Sequence, residues 1–226
     1  MVSLLAILSS LAAGALAAPV QPAETAPAPV SAVAADLPLA GLTDAAVFER
    51  AAEAIEGVDT LRGRFVQTAP DGTVTAGDLY LDRPGRLRFD YDAPEPLEIV
   101  ATNGLIYVHD TDIETVDSYP VGQTPLRFLL AEEVDREGAV LREVTRGPGE
   151  IALRLASADE ELRGEAVLVF AVGEGSEALS LARWAVIEPN GGVTVVALED
   201  VERDVRLSRR LFRAPQPAGG LGLRDR

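Results

Sequence analysis

The hydrophobic residues of this chain change their period as the sequence advances. Val47, Ala51, Ala54, Ile55 and Val58 recur at helical spacing and leave Glu49, Arg50, Glu53 and Glu56 on a wet side. Thr43 suits the N-cap, Asp44 lies where the helix dipole favours an anion, Leu42 is placed to staple onto Val47, and Gly57 ends the run. From there the period becomes two. The spans 61–67, 79–82, 86–91, 97–101, 105–108 and 113–119 read as strands, with Leu79 and Leu81 on one face and Asp78, Tyr80 and Asp82 on the other. Turn signals separate them: Pro70-Asp71-Gly72, Arg83-Pro84-Gly85 and Asn103-Gly104. A short apolar segment follows, in which Thr124 reads as a cap, Pro125 as the first turn, and 125–131 as a leucine-rich helix. Strands then resume at 139–145, 151–156, 165–172, 179–188 and 193–201.

About eleven closely spaced strands and two helices predict a mainly β domain built on an antiparallel sheet, because parallel pairs need long crossovers. A sheet of that size with one apolar face must curl or be covered. The helices at 44–56 and 125–131 are the available covers. Alternation alone leaves open what lies beneath them: a packed sandwich core, which is the simpler reading, or a hollow for an apolar ligand.

The chain ends have a different character. Residues 1–17 are apolar, close on Ala15-Leu16-Ala17 and are short for a membrane span, which is the pattern of a cleaved signal peptide. Residues 18–40 are rich in proline and alanine and read as a disordered tether. The last residues, 215–226, read as a flexible tail, which leaves 41–214 as the domain.

Composition removes chemistries. The 226 residues carry a formal net charge of -16, and all 20 basic side chains are arginine. Without lysine there is no Schiff base or phosphate-loop lysine. Without cysteine there is no thiol nucleophile, disulfide, thiolate metal site or lipidated N-terminus. A single histidine, His109, precludes a multi-histidine zinc site, and no Gly-x-Ser-x-Gly motif accompanies it. Asp110-Thr111-Asp112-Ile113-Glu114 begins like a calcium loop but has Thr115 where glycine is required, so it reads as a solvated hairpin and no metal is expected. The acidic balance disfavours nucleic acid. No cofactor is implied and no enzyme is expected.

Against this background one set of residues stands out. Phe65-x-Gln67, then Gly77 through Gly85 (Gly-Asp-Leu-Tyr-Leu-Asp-Arg-Pro-Gly), then Leu87-x-Phe89-x-Tyr91, Ile99-Val100, Asn103-Gly104 and Tyr107 follow in order. Together with Thr124-Pro125-Leu126 and Leu211-Phe212-Arg213-x-Pro215, this series resembles the LolA-type outer-membrane lipoprotein carriers. The resemblance implies an unclosed half-barrel with lid helices on its concave face. It implies a periplasmic carrier, a monomer, that takes acylated lipoproteins from a LolCDE-type inner-membrane transporter. Delivery would be to a LolB-type receptor or directly to the outer membrane. It also implies an acyl-chain cavity lined by Phe65, Leu79, Leu81, Leu87, Phe89, Tyr91 and Ile99, and a lid formed with Ile55, Leu126, Leu129 and Leu130. The family's arginine falls on Arg83, which shares strand parity with Leu79 and Leu81 and so would face inward and latch the lid through its carbonyls. The alternative is a sensor or assembly module of the same fold, binding a protein partner or another lipid without shuttling lipoproteins.

Overall fold

Two meanders share one sheet. The first runs β1 (Thr60–Thr68), β2 (Val74–Asp82), β3 (Arg86–Tyr91), β4 (Leu97–Thr102), β5 (Leu105–Asp110) and β6 (Thr115–Pro120). The second runs β7 (Ala139–Gly147), β8 (Glu150–Ser157), β9 (Glu165–Val172), β10 (Leu179–Ile187) and β11 (Val193–Arg203). The computed structural model describes residues 37–216 apart from 160, 161, 163 and 174–177. The expected signal peptide, most of the tether and most of the tail lie outside the described residues.

The order β6-β5-β4-β3-β2-β1-β11-β10-β9-β8-β7 joins the meanders only where β1 pairs β11, and every pair is antiparallel. Among the described strands β6 and β7 are the two free edges, so the sheet is an unclosed half-barrel. That topology has a direct consequence for the lid. The connection from β6 to β7 must travel from one edge of the sheet to the other, and it does so across the apolar face. Its leucines and Phe128 therefore become a cover.

Helix α1 (Asp44–Glu56) begins and ends where the sequence predicts. Thr43 Oγ1 accepts the Ala46 N–H at 3.3 Å, and the Gly57 N–H returns to the Glu53 carbonyl at 2.8 Å. Its apolar stripe, Val47, Phe48, Ala51, Ala52 and Ile55, is buried against β10 and β7.

Three expectations need correction. The second helix, α2, covers only Arg127–Leu130 and follows a 3-10 turn at Val121–Gln123. Thr124 does not cap it: the hydroxyl donates back to the Val121 carbonyl at 2.9 Å and closes the preceding turn. A threonine side chain with a carbonyl three residues behind it has this local option, which competes with capping. Second, Glu56 is not on a wet face, because its carboxylate holds the chain that follows the lid. Third, the folded part begins before residue 41. The Leu42 N–H donates to the Leu39 carbonyl at 3.0 Å, and the Leu39 side chain joins the core.

Candidate functional site

Strand register assembles the inner face in rows. Pairing across β1 to β4 aligns Gly63, Leu79, Phe89 and Ile99; a second row aligns Leu61, Leu81, Leu87 and Ala101. A third brings Phe65, Gly77 and Tyr91 together. Gly77 is there for space: a Cβ on it would lie 2.6 Å from Cε1 of Phe65 and would also strike the Asp90 carbonyl. The freed space admits an aromatic cluster. Phe65 meets Phe89 edge-on at 4.9 Å and Tyr91 at 4.9 Å, while Phe89 meets Trp184 of β10 at 6.2 Å.

All of the expected cavity residues join one apolar cluster. Phe65, Leu79, Leu87 and Phe89 are buried in it, and Leu81, Tyr91 and Ile99 pack against it half-buried. From the covers come Ile55 of α1 and Leu129 and Leu130 of α2, all buried, with Leu126 packed at the margin. The residues assigned to the lid and those assigned to the sheet thus meet face to face, and side chains fill the space between them.

Phe128, in the same apolar run as the lid leucines, is buried beside Leu129 and Leu130. Sequence reasoning missed two contributors. Trp184 completes the aromatic cluster; its alternation with Val186 on β10 was the available signal. The second is an ion pair. Glu56 accepts two hydrogen bonds from Arg136, at 2.7 and 3.2 Å, and the backbone N–H of Val134 at 2.8 Å. Arg136 also reaches Glu49 at 2.7 Å. The Arg136 guanidinium holds the Glu56 carboxyl below its ordinary range, and burial opposes that only in part. Nothing in a one-dimensional pattern links residues 56 and 136.

Arg83 sits where parity predicts, at the inner face just beyond Leu81. Its guanidinium donates to the Ile55 carbonyl at the end of α1, to the Ala131 carbonyl at 2.5 Å and to Glu132 at 3.3 Å, just past α2. The neighbouring Gly85 N–H donates to the Leu130 carbonyl at 2.9 Å. Burial lowers the Arg83 pKa from its ordinary value, opposed by the fields of Glu56 and Asp59. An arginine titrates far above neutrality, so the group remains charged. Both helix ends leave carbonyls without intrahelical partners. One planar fork donates to carbonyls from both covers at once, adding to the Val58 N–H that also donates to Ile55 at 3.1 Å.

The remaining chemistry-bearing residues lie elsewhere. His109 projects from the opposite face of β5 from Ile106, with Nε2 4.0 Å from a Glu114 carboxylate oxygen. Among the described residues no group of three or more His, Asp or Glu side chains is placed to hold a metal, and no described helix is long and apolar enough to cross a membrane.

A half-barrel, a strap across it and an inward arginine are the parts the sequence resemblance implies. The model of the family described as "Outer membrane lipoprotein carrier protein LolA" matches residues 56–215. The chain belongs to the LolA family. An outer-membrane lipoprotein carrier protein of Methylococcus capsulatus is 26% identical over 174 residues, spanning 73% of this chain and 81% of the relative. The carrier of Alkalilimnicola ehrlichii is 30% identical over 174 residues, spanning 73% and 77%. Among solved structures, a LolA superfamily protein of Nitrosomonas europaea aligns with a TM-score of 0.45 at 12% identity, covering 76% of this chain and 98% of its own. Members of the LolA family are carriers rather than enzymes, and the inner face of this chain offers a contiguous apolar cluster.

Proposed function

We propose that the protein is a periplasmic carrier that takes the acyl chains of lipoproteins into the space now filled by the lid and delivers them to the outer membrane. Residues 1–17 would direct export. The observation that carries this reading is the position of Arg83, whose one side chain ties the ends of both covers over a contiguous apolar face.

Magnitudes show why such a latch suits a carrier. A palmitoyl chain of about 14 methylenes gains roughly 11 kcal/mol on leaving water, at about 0.8 kcal/mol per methylene. A charged donor on a carbonyl contributes about 1.5–3 kcal/mol net. A latch of a few such bonds is weaker than the gain from one chain, so cargo can open it. It is strong enough to subtract from the affinity, and the closing lid helps to return cargo without ATP. The closed interior then represents the empty carrier.

The partners follow from that role: acylated lipoproteins as cargo, a LolCDE-type transporter as donor, and a LolB-type receptor or the outer membrane as acceptor. The test is release of lipoproteins from spheroplasts. Purified protein added to spheroplasts should bring newly made lipoproteins into the soluble fraction as a complex with the carrier. Lipoproteins that stay with the membrane would refute the carrier role and favour a sensor of the same fold.

A further inference from the structure

The apolar inner face does not extend to the whole sheet. At the end of the sheet where β1 runs into the Pro70-Asp71-Gly72 turn, polar side chains occupy positions that alternation assigns to the inside. Gln67 on β1 and Thr75 on β2 are direct cross-strand partners. Thr194 on β11 is two residues from Val196, the partner of Gln67, and pairs with Val186. Tyr91 on β3 links this row to the aromatic cluster, for its ring packs on Phe65 while its hydroxyl donates to Gln67 Oε1 at 3.0 Å.

Two of these groups lack a partner among the described residues. The Oγ1 atoms of Thr75 and Thr194 are both buried, and neither has a hydrogen-bond partner among the described residues. Thr194 is only 2% exposed. Buried hydroxyls are nearly always satisfied, so two unsatisfied ones on adjoining parts of one face mark a place where an acceptor belongs. Gln67 adds a further donor, because the Tyr91 bond uses its carbonyl oxygen and leaves its amide nitrogen.

We infer that this row is a docking site for the ester carbonyls of an acylated ligand, the acyl chains lying beyond it against Phe65 and Phe89. The inference rests on the carrier reading and identifies which part of the cargo the sheet recognises. Ester carbonyls accept hydrogen bonds without charge, and they sit at the first carbons of each chain. Tyr91 lies at just such a boundary between polar and apolar surface. The row also disfavours an anionic head group. Glu188, in the turn after β10, is 6% exposed and follows Val186, the partner of Thr194, on the same parity, which places it on the same face as Thr194. Asn190 donates to it at 3.1 Å. A neutral ester fits beside that charge better than a phosphate or a free fatty-acid carboxylate.

Two synthetic lipopeptides test the site on the full-length protein. Both carry an S-glyceryl cysteine; one has two palmitoyl esters and the other has two hexadecyl ethers, with matched chain length and no carbonyl. The wild-type protein should bind the ester form about 100-fold more tightly, the worth of two hydrogen bonds of ordinary strength, one from each threonine. Thr194→Val, which keeps the shape and removes the hydroxyl, should cut that preference about tenfold without weakening ether binding. The same variant should melt at the wild-type temperature or above it, because a hydroxyl without a partner stabilises nothing in the empty protein. Thr75→Val provides the second variant, with the same expectation. Equal binding of ester and ether by the wild type, or a preference untouched in both variants, would overturn the site while leaving the carrier reading intact. A lower melting temperature would also overturn it, by showing that the hydroxyl has a partner in the closed state. Failure of the wild type to bind either lipopeptide would remove the carrier reading itself.

Discussion

Replacing Arg83 by leucine should open the lid without unfolding the sheet. The side chain supplies donors to Ile55, Ala131 and Glu132; the 3.3 Å contact to Glu132 is long enough to be discounted, which leaves two good bonds from a charged donor. At about 1.5–3 kcal/mol each, these would total about 3–6 kcal/mol. Two costs reduce that sum. The guanidinium is held in a setting that disfavours its charge, and its Nε is buried with no partner among the described residues. A net of about 2–3 kcal/mol is left, which corresponds to roughly 30- to 150-fold in the population of the open lid. Hydrogen exchange reads that population directly. The reporters are the amides of Gly85, which donates to Leu130, and of Leu130 and Ala131, which close α2. Their protection should fall by the stated factor in Arg83→Leu, while Leu153 and Leu168, opposed in the centre of β8 and β9, keep theirs. Arg83→Lys should behave almost as the leucine variant does, since an ammonium cannot span two carbonyl groups as a fork. Unchanged protection in the lid would refute the latch. Equal loss in lid and strands would show that Arg83 supports the whole fold and not the lid in particular.

Other outcomes follow from the same geometry. Gly77→Ala should lower the melting temperature by roughly 3–10 °C, because overpacking costs about 1–3 kcal/mol and the added carbon meets the Phe65 ring and the Asp90 carbonyl; an unchanged melting curve would mean that the ring does not rest on Gly77. Trp184 is the chain's one tryptophan, buried and 6.2 Å from Phe89, so binding of a dipalmitoyl lipopeptide should shift its emission. Binding with no spectral change would place the chains away from the aromatic cluster. The Glu56–Arg136 clamp should depend on pH. The folded carboxyl is held below its ordinary value of 4.5, so the clamp's stabilisation is complete above that value and is lost as pH falls through the lower, folded one. Protection of the Val134 amide, which donates to Glu56 at 2.8 Å, should therefore decline as pH drops below about 4.5. Glu56→Gln should remove that dependence, and a decline that persists in the variant would assign it to another group.

The strands were legible in the sequence because their signals are local. Alternation marks a face, and dipeptides such as Asn103-Gly104 mark the turns; Asn103 and Gly104 do take the positive φ values that such a turn needs, 52° and 77°. The inward direction of Arg83 was legible for the same reason, as a continuation of the parity of Leu79 and Leu81. What it grips was not, because Ile55 and Ala131 come from distant parts of the chain. The pairing of β1 with β11 is likewise non-local, and that pair determines which two strands remain as edges and so where the lid must cross. Thr124 and Pro125 predict a longer helix over 125–131 than the four residues that form. The segment is held less by helical bonds than by burial of Phe128, Leu129 and Leu130, an influence outside the reach of propensity. Gln67, Thr75 and Thr194 obey alternation in position and break it in polarity, a local conflict of the kind that marks functional sites.

The central claim is that this face carries acyl chains, and native mass spectrometry of the protein isolated from the periplasm tests it most directly. The account predicts a population whose added mass is that of an intact acylated lipoprotein. That population should be lost when the chains are removed by ester hydrolysis and should increase in Arg83→Leu, whose lid no longer helps to return cargo. A protein that emerges only in its empty mass while the same cells are exporting lipoproteins would contradict it.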